Sequence, residues 1–121
     1  MSTDLQALST FLATRGLPDG VDAPTFVAQV VEQLVKDFQL DAARVARASI
    51  SFVELLADDI AEGLNGIGAD DIFAAFYRLD LGEDLVRKIL HDNDRPEAAR
   101  QLAVKSVERA ALKVWTRWHY R

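Results

Sequence analysis

Apolar residues recur at three- and four-residue intervals through most of the chain, which is the spacing of amphipathic α-helices. The clearest case follows Asp22 and Pro24, where the apolar residues are Phe26, Val27, Val30, Val31, Leu34, Val35 and Phe38. No segment alternates apolar and polar residues as a half-buried strand would. The pattern predicts an all-α protein, with residues 1–121 forming a single compact bundle of five or six helices and a long C-terminal helix.

Cap residues mark the boundaries of the earlier helices. Gly16 ends a first helix over residues 3–15, because glycine readily adopts the left-handed conformation that terminates helices. Ser51 and Glu54 have the spacing of a capping box and predict the start of another helix. Residues 41–48, which lie before it, are expected to form only a short helical turn.

Two further helices are predicted between Gly68 and the last helix. The first, over residues 69–79, should bury Ile72, Phe73, Phe76 and Leu79. Asp80 and Glu83 repeat the capping-box spacing, so the second helix should begin at about Leu81. Its apolar residues should face the core, and they are Leu85, Val86, Ile89 and Leu90.

The last helix has two contrasting faces. It is predicted to begin at Asp94, before Pro96, and about 25 residues of helix would span roughly 37 Å. Its apolar arc contains Ala99, Ala103, Val107, Ala110, Ala111, Val114, Trp115 and Trp118. A second arc, called here the basic ridge, contains Lys105, Arg109, Lys113 and Arg117. Leu102 and Leu112 fall on or beside this ridge, which hints at a second contact surface.

Charge also separates this helix from the rest of the chain. From Arg95 onward seven Lys or Arg stand against two acids, a net of +5, whereas residues 1–94 carry seven basic and 17 acidic residues, a net of −10. One interpretation of the basic ridge is intramolecular, because cations near a helix C-terminus oppose the helix dipole and their long stems cover apolar neighbours. The other interpretation is a binding surface.

Acidic residues offer a metal-binding alternative. Inward-facing carboxylates could hold Mg²⁺ or Mn²⁺ in a metal-dependent hydrolase, and the candidates are Glu54, Asp58, Asp59, Glu62, Asp70 and Asp71. Helical spacing turns Glu54, Asp58 and Glu62 away from the apolar stripe, which favours a solvated acidic face, itself a candidate partner for the basic ridge. We therefore predict no metal, no cofactor and no catalytic residue.

The chain ends in interleaved aromatic and basic residues, which are Trp115, Arg117, Trp118, Tyr120 and Arg121. Trp and Arg are common hot spots of protein interfaces, so this segment could anchor an acidic protein partner. Aromatic rings and cations also bind single-stranded nucleic acid by stacking and phosphate contacts. A purely structural interpretation is that both Trp side chains fill the end of the bundle core.

The leading prediction is a non-enzymatic protein-interaction module that binds another protein or a second copy of itself. The predicted contact residues are Lys105, Arg109, Lys113, Trp115, Arg117, Trp118, Tyr120 and Arg121. Nucleic-acid binding through the tail and metal-dependent hydrolysis are the alternatives. A pI near 4.9 disfavours nucleic acid as a partner of the whole molecule. With no Cys, no signal-peptide pattern and no apolar run of about 20 residues, we expect a cytoplasmic protein without a membrane partner.

Overall fold

The computed structural model describes residues 2–48, 51–66 and 68–120, with side chains described from Leu8 onward. These residues form seven helices and no strand, which confirms the all-α class. The helices are α1 (Ser2–Arg15), α2 (Ala23–Phe38), α3 (Ala42–Arg47), α4 (Phe52–Leu64), α5 (Ala69–Arg78), α6 (Glu83–Asp92) and α7 (Arg95–His119). The predicted count of five or six was too low because residues 42–47 form a helix of their own, capped by Asp41 Oδ1, which accepts a hydrogen bond of 3.0 Å from Ala43 N.

The long last helix is the centre of the bundle, as its length predicted. α7 packs most extensively against α4 and also contacts α1, α2 and α6. Its buried residues are Ala98, Ala99, Leu102, Ala103, Ser106, Val107, Ala110, Ala111 and Val114. Because α7 has neighbouring helices on several sides, its buried residues cover a wider arc than the single apolar face that the sequence predicted. Leu102 is fully buried for this reason, so its assignment to a second contact surface was wrong, and Leu112 is half-buried.

Three predicted helix starts are confirmed by side-chain hydrogen bonds to backbone N–H groups. Asp22 Oδ1 accepts from Thr25 N at 2.8 Å, Ser51 Oγ from Glu54 N at 3.2 Å, and Asp94 Oδ1 from Glu97 N at 3.0 Å. Each bond satisfies a donor that the first helical turn leaves without a partner. These starts depend on neighbouring residues only, which is why local spacing predicts them.

The segment from α5 to α6 departs from the prediction. Phe73 was expected in the core but is 43% exposed, and Leu85 is 38% exposed. α6 begins at Glu83 after Gly82, whose φ is +84°, and it has no side-chain cap. The expected capping box does not form: Asp80 has a φ of +59° rather than the extended backbone of an N-cap residue, and its carboxylate lies 3.3 Å from Arg109 of α7. The turn between the two helices, residues 79–82, is therefore longer than the predicted bounds indicate, and Leu79 and Leu81 within it are buried.

Within the part of the chain that the structure describes, no helix is long and apolar enough to cross a membrane.

Candidate partner-binding surfaces

The middle of the basic ridge caps the C-terminal end of α5. Arg109 Nε donates a hydrogen bond of 3.1 Å to Leu79 O, and Lys113 Nζ donates one of 3.4 Å to Arg78 O. The last carbonyls of a helix lack intrahelical donors and carry the negative end of its dipole, so two cations one helical turn apart stabilise them. Arg109 and Lys113 thus serve the protein's own fold through a neighbouring helix.

A buried carboxylate lies beside this cap. Asp37, in the last turn of α2, has a side chain only 5% exposed, and its Oδ2 lies 3.6 Å from Lys113 Nζ. Gln33 Nε2 donates to the same oxygen at 2.9 Å. The Arg78 guanidinium donates to the main-chain oxygen of Asp37 and lies 4.0 Å from Oδ1. Asp37 thereby links α2, α5 and α7, and it was not among the predicted polar residues.

The outer members of the ridge behave differently from the middle. Lys105 Nζ lies 3.7 Å from Glu108 Oε1 on the same helix, which is an ion pair across one turn. Arg117 is exposed and lines a polar cleft of about 450 Å³ together with Lys36 and Trp118. Of the four ridge cations, Arg117 is therefore the one best placed to meet another molecule.

The two Trp residues of the tail are anchored in the bundle. Trp115 Nε1 donates to Gly16 O at 3.2 Å, and Arg15 lies 5.3 Å above the Trp115 ring. Trp118 Nε1 donates to Gln29 Oε1 at 2.7 Å. Both side chains are half-buried, the placement expected of residues that close the end of a core.

Beyond these anchors the last turn is exposed. Tyr120 is 83% exposed, and Arg117 is exposed one turn before it. His119 is also exposed and stacks on Trp115, with 3.7 Å between ring centroids. We call Arg117, His119 and Tyr120 the terminal face. Arg121, another predicted contact residue, lies outside the described residues.

The acidic residues are dispersed or paired. Arg44 donates two hydrogen bonds to Asp59, of 2.9 and 2.7 Å, and these bonds raise the pKa of the Arg44 guanidinium above its ordinary value. Among the described residues no three Asp, Glu or His side chains lie close enough together to hold a metal ion. The described acidic partners of the basic ridge are Asp37, Asp80 and Glu108, none of which belongs to the predicted face on α4.

An apolar groove between α5 and α6 is the surface that sequence reasoning missed. It encloses about 650 Å³ and is lined by Phe73, Tyr77, Val86 and Leu90, among others. The apolar spacing of both helices was recognised correctly, but periodicity does not report which neighbour covers each side of a helix. The one available signal was an unusually aromatic stretch, with two Phe and a Tyr within one and a half turns of α5.

No protein-family model, curated protein or solved structure matches this chain. The geometry and charge of the surfaces described above are therefore what bears on its function.

Proposed function

We propose that this protein is a non-enzymatic protein-interaction module whose terminal face binds an acidic surface of another protein. The observation that carries the proposal is Tyr120, which is 83% exposed beside the exposed side chains of Arg117 and His119. Tyr and Arg supply much of the binding energy in protein interfaces, because they combine a large apolar area with directed hydrogen bonds. A cytoplasmic location, predicted from the sequence, belongs to this proposal.

Anchoring of the last turns favours tight binding by the terminal face. Trp115 is bonded to Gly16 and Trp118 to Gln29 of α2, so the turn that carries Arg117 is held against the bundle before any partner arrives, and Tyr120 follows two residues after the second anchor. A contact surface that is already ordered loses less conformational entropy on binding than a free tail would.

The cleft beside the terminal face suits a carboxylate. Arg117 and Lys36 both line it, with Glu32 as the acid in its wall. A partner's Asp or Glu side chain that enters between these two cations would form charge-assisted hydrogen bonds while Tyr120 contacts an apolar neighbour. Such binding should weaken with salt, since the charges are exposed.

Nucleic acid is the less favoured partner. Nucleic-acid binding through the tail requires aromatic rings that are free to stack on bases, whereas Trp115 and Trp118 are half-buried and donate hydrogen bonds to Gly16 O and Gln29 Oε1. We therefore place the contact at the end of the helix and on protein.

Site-specific photo-crosslinking tests the proposal. The full chain with p-benzoylphenylalanine in place of Tyr120 is irradiated in extract of the cells that express it, at low and at high salt. We expect one discrete adduct that diminishes at high salt and is lost when Arg117→Glu is added. The matched control carries the same group in place of Lys88, an exposed residue of α6.

The outcomes separate the possible partners. An adduct with a different protein supports the proposal, and an adduct of twice the chain mass assigns the partner as a second copy. Absence of an adduct, or the same adducts from position 88, would overturn it. Binding of a labelled single-stranded oligonucleotide at low salt that is abolished by Arg117→Glu would replace it with the nucleic-acid alternative.

A further inference from the structure

α5 and α6 follow one another in the chain but pack on different parts of the bundle. α5 rests on α2 and α4, whereas α6 rests on α7. The two helices therefore diverge and leave the groove described above between them. A second cavity of about 460 Å³ adjoins it and shares Phe73 and Leu90 as lining residues, so the groove continues toward the start of α7 with a more polar lining that includes Asn93 and Arg95.

Aromatic side chains on the wall of this groove are left in water. Tyr77 is 86% exposed and Phe73 is 43% exposed, on successive turns of α5. Val86 and Leu90 occupy successive turns of the opposite wall on α6, and buried Phe76 contributes to the lining. An exposed apolar surface that is concave and rimmed by charge marks an interaction site, and a groove between two helices is a shape that an amphipathic helix can occupy.

The rim of the groove has opposite charges at its two ends. Asp80, Glu83 and Asp84 stand at the turn between α5 and α6, and all three carboxylates are almost wholly exposed. Arg87 pairs with Glu83 at 2.7 Å and with Asp84 at 3.4 Å, and Arg109 pairs with Asp80 at 3.3 Å, so two cations face three carboxylates and this end stays net negative. Arg95 lines the other end and is exposed.

We propose that the groove between α5 and α6 binds an amphipathic helix of another protein, with basic residues at the end of the bound helix that lies over Asp80, Glu83 and Asp84. A helix fits because ten residues of α6 provide a wall about 15 Å long, which is close to three helical turns. Apolar residues at positions i, i+4 and i+7 of the bound helix would then contact Tyr77, Phe73 and the end of the groove near Leu90. No residue of the terminal face lines this groove, so the inference stands independently of the function proposed above.

Charge argues against a second copy as the occupant. In a two-fold dimer whose axis passes through the acidic end of the groove, the carboxylates of the two copies would be brought together, and with the axis at the centre of the groove the three carboxylates of each copy would face only Arg95 of the other. Like charges brought together in an interface are unfavourable, whereas a basic helix end would neutralise them. The acidic rim thus selects a partner of opposite charge.

Three synthetic helical peptides of about 15 residues, stapled because short helices are marginal in water, serve as probes. The first has leucines at i, i+4 and i+7 and lysines at one end, the second has glutamates in place of the lysines, and the third has serines in place of the leucines. Each is titrated into the ¹⁵N-labelled full chain. We expect the first to shift amides of α5 and α6 and to bind at least tenfold more tightly than either of the others.

A matched pair of tyrosine variants localises the binding. Tyr77→Ser should weaken the first peptide at least tenfold, whereas Tyr120→Ser, which changes a tyrosine of similar exposure on the terminal face, should leave its affinity unchanged. Glu83→Gln combined with Asp84→Asn should make the protein bind the lysine peptide and the glutamate peptide with similar affinity. Thermal melts verify that each variant is folded.

Several results would overturn this inference. Equal affinity for the lysine and glutamate peptides would show that the rim does not select a basic partner. Shifts confined to other helices, or an unchanged affinity after Tyr77→Ser, would place the binding elsewhere. Groove amides that shift with protein concentration in the absence of peptide would identify a second copy as the occupant.

Discussion

Asp37 Oδ2 and Lys113 Nζ lie 3.6 Å apart at the point where α2, α5 and α7 meet. The carboxylate is buried near the C-terminus of α2, where the helix dipole disfavours a negative charge. Lys113 and Arg78 supply the compensating positive charges, and both keep part of their side chains in solvent. The ion pair joins the chain's acidic part to its basic last helix within one molecule.

Replacement of Asp37 should destabilise the fold. Asp37→Ala leaves the Gln33 amide without its acceptor and two cations without their anion, which we expect to lower the free energy of unfolding by about 2 kcal/mol. This loss lies below the range usual for breaking a buried ion pair, because the Arg78 and Lys113 side chains can rotate into solvent. Urea unfolding followed by circular dichroism measures the change.

Asp58→Ala is the control for this prediction, because Asp58 is exposed on α4. It should change the free energy of unfolding by less than about 0.5 kcal/mol. Equal losses from the two variants would mean that the Asp37 network contributes nothing beyond an ordinary surface charge.

Two phenylalanines one turn apart on α5 should differ in their contribution to stability. Phe76 is 3% exposed and Phe73 is 43% exposed, although both fit the same apolar spacing. We expect Phe76→Ala to lower the free energy of unfolding by about 3–5 kcal/mol. Phe73→Ala should lower it by about 1 kcal/mol or less, because removal of an exposed ring leaves no enclosed cavity. Thermal and urea unfolding of the two variants, measured side by side, test the difference, and a cost of Phe73→Ala close to that of Phe76→Ala would place Phe73 in the core.

These residues also show where sequence reasoning succeeded and where it could not. The caps at Asp22, Ser51 and Asp94 are local, since donor and acceptor lie three residues apart, and the sequence predicted all three. The exposure of Phe73 depends instead on the divergence of α5 and α6, which is set by packing on different helices. Periodicity identifies the apolar side of a helix but not the neighbour that covers it.

The basic ridge illustrates the same limit for the candidate site. Its four residues were identified from their spacing, and an intramolecular role was one of the two interpretations. Their hydrogen-bond acceptors, however, lie 30 or more residues away in the sequence. Arg109 donates to Leu79 O, and Lys113 donates to Arg78 O. Contacts over such separations follow from the packing of whole helices, which a single sequence does not specify.

Gly63 should tolerate no side chain, because it lets α5 approach α4 closely. A Cβ atom at Gly63 would meet Ile72 Cγ1 well inside van der Waals contact. Gly63→Ala gains helix propensity, but overpacking against a buried branched side chain should outweigh this gain and lower the free energy of unfolding by about 1–3 kcal/mol. Urea unfolding measures the loss.

Gly66→Ala provides the comparison, since a Cβ atom there would meet only Glu62 O, at 3.7 Å. It should change stability by less than about 0.5 kcal/mol. A Gly63→Ala variant that is more stable than the parent chain would show that Ile72 moves aside without cost.

The cap at Asp22 should make stability depend on pH in the acid range. The backbone N–H of Thr25 donates to the Asp22 carboxylate and holds the pKa of that carboxyl below its ordinary value of 3.8. The ionised form is therefore favoured in the folded chain, so its contribution is fully present above about pH 5 and is lost as the pH falls below 3.8 toward the folded-state pKa. Asp22→Asn retains a capping oxygen that does not titrate.

We expect the Asp22→Asn variant to be less stable than the parent at pH 6, and the difference to shrink as the pH is lowered toward 3. Urea unfolding measured across this range tests it. Asp19→Asn, an exposed change in the same turn, supplies the control, and a parent–variant difference for Asp22→Asn that stays constant with pH would contradict the role assigned to this carboxylate.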